Sequence, residues 1–242
     1  MQQYFSDKTF AIGESVELDA DASRHQMIVL RAKAGNRFRL ADPKGQFFLV
    51  ELAIKETKAF ATILESVSEN NEMRVKATII QALIKGERWD YFLQKATECG
   101  ATRIVPFLSE RNVVKYDAKT DRKKLDRWRK IVREAAEQSH RNIIPEVTSP
   151  IHADELFDYR SETNFVAYEG ESNGSIQLKD ISVNTGDVSV LIGCEGGFSA
   201  HEIQRFTSIG FRPVGLGSRI LRAETAAIVA LTLLEGKIPN QL

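Results

Sequence analysis

Four charged residues stand in glycine-rich surroundings towards the end of the chain. Glu195 lies in "LIGCEGGFSAHE" (191–202), and Arg219, Arg222 and Glu224 lie in "GLGSRILRAETAAIVA" (215–230). Glycine lets main chain approach a ligand closely, and a neighbouring carboxylate favours a cationic or neutral ligand over a triphosphate. The first stretch matches neither G-x-x-x-x-G-K-[ST] nor G-x-G-x-x-G, the two phosphate-cradling patterns. Its plainer reading is a tight turn from strand to helix. Ser199 and Glu202 then have the S-x-x-E spacing of a capping box, with Phe198 and Ile203 placed as a hydrophobic staple. In the second stretch two guanidinium groups precede a helix, where the dipole disfavours cations. Either they are solvated, or they serve chemistry beside a helix too apolar for the surface.

The elements that must position these residues follow from hydrophobic periodicity. Residues 75–83 ("VKATIIQAL") read as a strand. The next segment, 86–100, is a helix with Trp89, Phe92, Leu93 and Ala96 on one face and Gly100 as its C-cap. "TRIVPFL" is a strand, and 121–140 is a long helix with a buried stripe of Leu125, Trp128, Ile131, Val132 and Ala135. "NFVAYEG" and "DVSVLIGCEGG" are buried strands ending in glycine. "FRPVGLG" is the last strand, and "ETAAIVALTLLEG" is a helix apolar almost all round and therefore buried. Such alternation predicts a parallel α/β sheet, with ligands at the carboxyl ends of its strands. The first seventy residues differ. From 36 to 67 the apolar residues fall in short β-rich runs, "DPKGQ" is a turn with Pro43 at its second position, and "SENNEMR" (68–74) reads as a linker.

Composition narrows the class. A chain of 242 residues holds one large domain or two unequal ones. With 33 basic against 33 acidic residues, any nucleic-acid binding has to come from local patches. Cys99 and Cys194 are far apart and the four histidines are scattered, so no metal site is expected. No run of about 18 apolar residues occurs, and the N-terminus lacks a signal-peptide core. The expectation is a reduced, cytoplasmic protein with no membrane partner.

"GCEGGFSAHEI" and "LGSRILRAETA", together with "LQKATECGATRIVPFLSERNVV" and "EAAEQSHRNIIP", resemble the signature segments of the RsmE family. These are 16S ribosomal RNA uracil-N3 methyltransferases of the knotted, S-adenosylmethionine-dependent SPOUT superfamily. One departure stands out: Cys194 occupies a position where the family carries proline. The resemblance implies a PUA-like all-β barrel over 1–72 that binds RNA. It also implies a SPOUT-type α/β domain over 73–242 with a deep trefoil knot. It implies a homodimer with the active site near its interface, acting on the small ribosomal subunit. The cofactor would be held by three loops: Tyr168 and Glu169 in the first, and Ile192, Gly193, Cys194, Glu195 and Gly197 in the second. The third would supply Leu216, Gly217, Ile220, Leu221, Arg222, Thr225 and Ala226.

Uracil N3 keeps its proton at neutral pH, so such an enzyme must remove it and stabilise charge spreading onto O2 and O4. A guanidinium stays charged and donates in a planar fork, which suits the second task. Arg222 is the first candidate and Arg219 the second. Glu195 or Glu224 either accepts the proton or pairs with Arg222. For the RNA, no acidic residue occurs from 22 to 41, while Arg24, Arg31, Lys33, Arg37 and Arg39 are basic. A second basic concentration, 115–141, holds ten Lys/Arg against five Asp/Glu, with a solvated helix face as its plain alternative. Gln138 and Arg141 are assigned to substrate or interface contacts. Two rival classes stay open: an enzyme of the same superfamily acting on another target such as a ribose 2′-hydroxyl, and a non-catalytic RNA-binding assembly factor.

Overall fold

The computed structural model describes residues 1–117, 121–168, 176–183 and 186–236. It divides into two units: Met1–Glu72 with Ala136–Ile144, and Met73–Ala135 with Pro145–Leu242.

In the first unit, β1 (Gln3–Phe5), β2 (Ser15–Glu17), β3 (Arg37–Ala41), β4 (Phe47–Lys55) and β5 (Lys58–Val67) form one sheet in the order β1-β3-β4-β5-β2. β1 runs parallel to β3 and the other pairs are antiparallel. Period-two alternation on β4 sends Phe48, Val50 and Leu52 into a core with Phe38, Leu40, Ala61 and Ile63. The β3–β4 turn is the expected "DPKGQ". Asp42 Oδ1 accepts the backbone N–H of Lys44 (2.8 Å) and Gln46 (2.9 Å), and Gly45 takes φ +78°.

Two features of this unit depart from the sequence reading. It is not wholly β. Asp19 caps a short helix α1 (Ala20–Arg24), whose end widens into a π-helical turn, His25–Val29. The segment read as a linker is also tied down. Glu72 is ion-paired with buried Arg141 and accepts the backbone N–H of Asn142 at 2.8 Å. Asn142 in turn donates to the carbonyls of Gly45 and Glu69. These contacts fix 136–144 as part of the first unit.

The second unit contains β6 (Lys76–Ala82), α2 (Glu87–Glu98), β7 (Arg103–Phe107), α3 (Arg122–Gln138, whose last residues belong to the first unit), β8 (Glu146–Val147), β9 (Thr163–Ala167), β10 (Asp187–Ile192), α4 (Ala200–Ser208), β11 (Arg212–Val214) and α5 (Ala223–Glu235). Its six strands are all parallel, in the order β11-β9-β10-β6-β7-β8. β6 and β10 are buried along almost their whole length, as parallel strands covered on both faces should be. Among the described residues of this unit, the two-residue β8 is the strand the periodicity missed, as it missed β1 and β2 in the first unit. α2 ends one residue before the expected cap. Cys99 is the cap, and Gly100 follows at φ +92° with Ala101 N–H on the Ala96 carbonyl and its own N–H on Thr97, a Schellman closure. α5 packs on α2, β6 and β10. No described helix is long and apolar enough to cross a membrane.

Candidate functional site

The strand order answers whether the two glycine-rich stretches belong together. β9, β10 and β11 are neighbours, with Val166 opposite both Leu191 and Pro213. Their carboxyl ends therefore release Tyr168, the 193–197 loop and the 215–222 segment side by side. β10 also borders β6, and here the chain's course reverses: β6 leads outward to β7, and β10 outward past β9 to β11. Such a switch point is where an open parallel sheet leaves a crevice.

The 193–197 loop is held one residue at a time. Gln81, buried in β6 opposite Ile192, donates from Nε2 to the Gly193 carbonyl at 3.1 Å and to the Ala82 carbonyl at 3.1 Å. These two acceptors orient the amide and leave its Oε1 buried with no partner. Ser109 Oγ lies 3.7 Å from Cys194 Sγ. Arg88 at the start of α2 pairs with Glu195 at 3.0 Å. Arg111 donates to the Gly196 carbonyl at 2.8 Å. Gly197 closes the loop by donating to the Cys194 carbonyl at 2.9 Å, in a left-handed conformation (φ +62°) with open space where a Cβ would stand.

Beyond the loop, α4 starts with the expected capping box. Ser199 Oγ accepts the Glu202 N–H and Glu202 accepts that of Ser199. Glu202 also accepts the Glu110 N–H at 2.9 Å, so the cap fastens the segment after β7 to this helix. The Ser199 hydroxyl, and after it His201, hold the Glu110 carboxyl below the usual carboxylate range. Phe198 packs edge-on against Phe107 and Phe206.

In the third segment, Gln177 forms a bridge with Gly215 and accepts the Gly217 N–H at 2.9 Å, and Tyr168 N–H reaches the Val214 carbonyl at 3.0 Å. Gly217 sits at φ +129° with nothing near its missing Cβ. Ile220 is 83% exposed. Leu216, Leu221 and Thr225 are half-buried, Ala226 is buried and Arg219 is exposed. Arg222 is the N-cap residue of α5, exposed and without a side-chain capping bond. Two residues later Glu224 is buried, 6% exposed, and its Oε2 has no partner. Glu169 lies outside the described residues.

Three expectations change on this geometry. Glu195 pairs with Arg88, not with Arg222. Arg141 is 2% exposed and ion-paired with Glu72, which places it in the frame of the first unit and not on a binding face. Arg39 is held by Glu69 at 2.7 Å and lies over the Phe47 ring. Gln138 is exposed. Sequence reasoning missed Gln81, Arg88, Ser109 and Arg111. Gln81 had a signal, being the lone amide inside the apolar run "ATIIQALI".

Residues 71–235 match the RNA methyltransferase domain family. The chain is 33% identical to the ribosomal RNA small subunit methyltransferase E of Bacillus subtilis, over 96% of this chain and 95% of that one. The enzyme of the same name from Mesomycoplasma hyopneumoniae is 37% identical over 78% of this chain and 81% of its own length. Among solved structures, ribosomal RNA small subunit methyltransferase E from Neisseria gonorrhoeae, bound to S-adenosyl methionine, superposes with a TM-score of 0.88 at 34% identity, covering 97% of each chain. A putative methyltransferase from Legionella pneumophila, in complex with the same cofactor, gives 0.88 at 33% identity and 96% of each. With a family model spanning most of its length and relatives matched almost end to end, this chain belongs to the ribosomal RNA small subunit methyltransferase E family.

Proposed function

We propose that this chain methylates N3 of one specific uridine in 16S ribosomal RNA, with S-adenosylmethionine as methyl donor. The observation that carries this reading is the convergence of three loops at the carboxyl ends of β9, β10 and β11. Relatives that match nearly the whole chain include ones bound to that cofactor, and this chain uses it on small-subunit ribosomal RNA.

The residues present fit such a ligand. Gly197 and Gly217 have open space where any other residue would carry a Cβ, so main chain can meet the ligand directly. The buried, unpartnered oxygens of Gln81 and Glu224 at this end of the unit are acceptors that lack donors. When bound, S-adenosylmethionine supplies a methyl group on a sulfur that is already cationic. The rest falls to the protein. Tyr168, Ile192, Gly193, Cys194, Glu195, Leu216, Ile220, Leu221, Thr225 and Ala226 complete the cradle, with Glu169. Arg222, exposed at the head of α5, faces the charge that develops on uracil O2 or O4, with Arg219 as second candidate. Glu224 is the better placed proton acceptor, because Glu195 is already engaged by Arg88.

In this reading the first unit is the PUA-like RNA-binding module, with Arg24, Arg31, Lys33 and Arg37 exposed on it. The second is a SPOUT domain with its trefoil knot, working as a cytoplasmic homodimer without a metal. The target base has to leave its stack to reach the cofactor. The test is to incubate purified small ribosomal subunits with isotopically labelled cofactor and analyse the nucleosides by mass. Labelled 3-methyluridine is expected. A ribose-methylated product would transfer the activity to the 2′-hydroxyl reading, and no labelled nucleoside at all would favour the assembly factor.

A further inference from the structure

The first unit carries an exposed apolar ridge that its own folding does not use. In the π-helical turn after α1, the Leu30 N–H reaches back to the His25 carbonyl and the Ala32 N–H to Gln26, both at 2.9 Å. One side of this wide turn is pinned. Gln26 is buried, Met27 and Ala32 pack on the core, and the Tyr4 hydroxyl lies 2.7 Å from His25 Nδ1. The other side presents three consecutive aliphatic residues to solvent: Ile28 is 66% exposed, Val29 62% and Leu30 40%. Arg31 follows at φ +51°, a left-handed conformation that costs a non-glycine residue about 1–2 kcal/mol. π-turns and left-handed residues of this kind persist where function repays them.

The charges around the ridge identify its occupant. Arg24, Arg31 and Lys33 are exposed and form no ion pair among the described residues, and no acidic residue occurs from 22 to 41. Arg37 and Arg39 differ in having carboxylate partners, Glu51 at 3.7 Å and Glu69 at 2.7 Å. The acids near the turn, Asp21 one helical turn before Arg24 and Glu137 near Tyr4, do not pair with Arg24, Arg31 or Lys33. An apolar protein partner would not need three cations without ion pairs beside it. A polyanion with apolar faces would, and RNA with unstacked bases is one. Aliphatic side chains inserted at base steps, with arginines on the flanking phosphates, are an established way of opening a stack.

We infer that Ile28, Val29 and Leu30 form a wedge that docks against unstacked bases of the RNA substrate, while Arg24, Arg31 and Lys33 hold the adjoining phosphates. This rests on the RNA-methyltransferase reading and adds a contact of the first unit with unstacked bases of the substrate.

The experiment compares wild type, Ile28→Ser/Val29→Ser and Arg24→Ala/Lys33→Ala for binding to naked 16S ribosomal RNA across a salt series. S-adenosylmethionine affinity and thermal melting serve as controls. Both wedge residues are exposed, so melting should not move. The wedge variant should lose about tenfold or more in RNA affinity at every salt concentration, because apolar contacts release no counterions. The basic variant should instead flatten the dependence of log K on log salt by about two units. A 2-aminopurine-labelled single-stranded RNA should brighten less with the wedge variant than with wild type. Unchanged affinity of the wedge variant would overturn the inference. So would a loss seen only on intact subunits, which would make the ridge a contact for a ribosomal protein, or a change in oligomeric state, which would make it a contact for a second copy. A wild type that does not bind naked 16S RNA but still methylates small subunits would overturn the wedge alone, whereas a wild type that yields no methylated nucleoside on small subunits would sink the underlying reading.

Discussion

Gln81→Leu tests whether Gln81 latches the 193–197 loop at the switch point. Leucine is of similar length to glutamine and only somewhat bulkier, so the main change is one of hydrogen bonding. It removes the donor to the Gly193 and Ala82 carbonyls, and it also removes the side chain's own unpartnered acceptor, Oε1. Leaving a buried polar group unsatisfied costs about 1–3 kcal/mol. Two carbonyls lose a donor and one orphaned oxygen disappears, so the net loss of stability is about 1–3 kcal/mol, or roughly 2–4 °C of melting temperature per kcal/mol at this size. Cofactor binding should suffer separately. Arg88, Ser109 and Arg111 still hold the rest of the loop, so mainly Gly193 is freed, and re-fixing one backbone residue costs about 1–2 kcal/mol. That is roughly a five- to thirtyfold weaker Kd for S-adenosylmethionine, read by calorimetry well below the melting transition. Arg88→Ala is the contrast. Its pair with Glu195 is 46% and 40% exposed, and such pairs contribute about 0–1 kcal/mol, so affinity should fall less than fivefold. A Gln81→Leu protein with native melting and a Kd within twofold of wild type would refute the latch.

Arg222→Ala should keep its fold and cofactor affinity but slow single-turnover methyl transfer by about 10²–10³-fold, with only partial rescue by Arg222→Lys. A rate within a few-fold of wild type would pass the role to Arg219. Gly197→Val forces a β-branched residue to φ +62° and fills the open space above the loop, and should abolish cofactor binding in a chain that still melts cooperatively. Arg141→Ala leaves Glu72 without its cation in a part-buried site and should destabilise the first unit by about 3–5 kcal/mol, visible as faster hydrogen exchange in β1 and β3. Tyr4 is pushed up to about 12, first by burial and then by Glu137. An acid whose folded pKa is raised loses stability as pH climbs above its ordinary value of 10.0 towards 12. Tyr4→Phe should flatten the alkaline limb of a pH–stability curve between those values.

The parallel unit was legible because its signals are local. β6, β7, β9 and β10 are apolar runs of strand length, α2 and α3 show 3.6-residue stripes, and Gly100 and Ser199 mark helix ends by their own backbone chemistry. What stayed hidden depends on distance along the chain. The pairing of Glu72 with Arg141 spans sixty-nine residues, and no periodicity predicts it. The wide turn at His25–Val29 was missed for another reason: its side chains break the rule that aliphatic residues go inward. The same holds at the site. Glycines announced the loop, but the side chains that hold it come from β6, α2 and the segment after β7, and apart from Gln81, the lone amide in its apolar run, each looks ordinary in its own stretch.

That division has a physical basis and bears on Cys194. A loop whose main chain meets a ligand cannot be stiffened by its own side chains, because they would occupy the ligand's space. Its order must come from outside or from restricted backbone. A proline at 194, which the family resemblance implies for this position, would restrict φ within the loop. Here Cys194 gives up that restriction and is instead buried beside Ser109, while Gln81, Arg88 and Arg111 hold the residues on either side. The order of the loop in this chain is therefore carried by contacts from three other elements. Loss of any one of them should weaken cofactor binding more in this chain than the same loss in its Cys194→Pro variant, and equal losses in the two backgrounds would refute the argument.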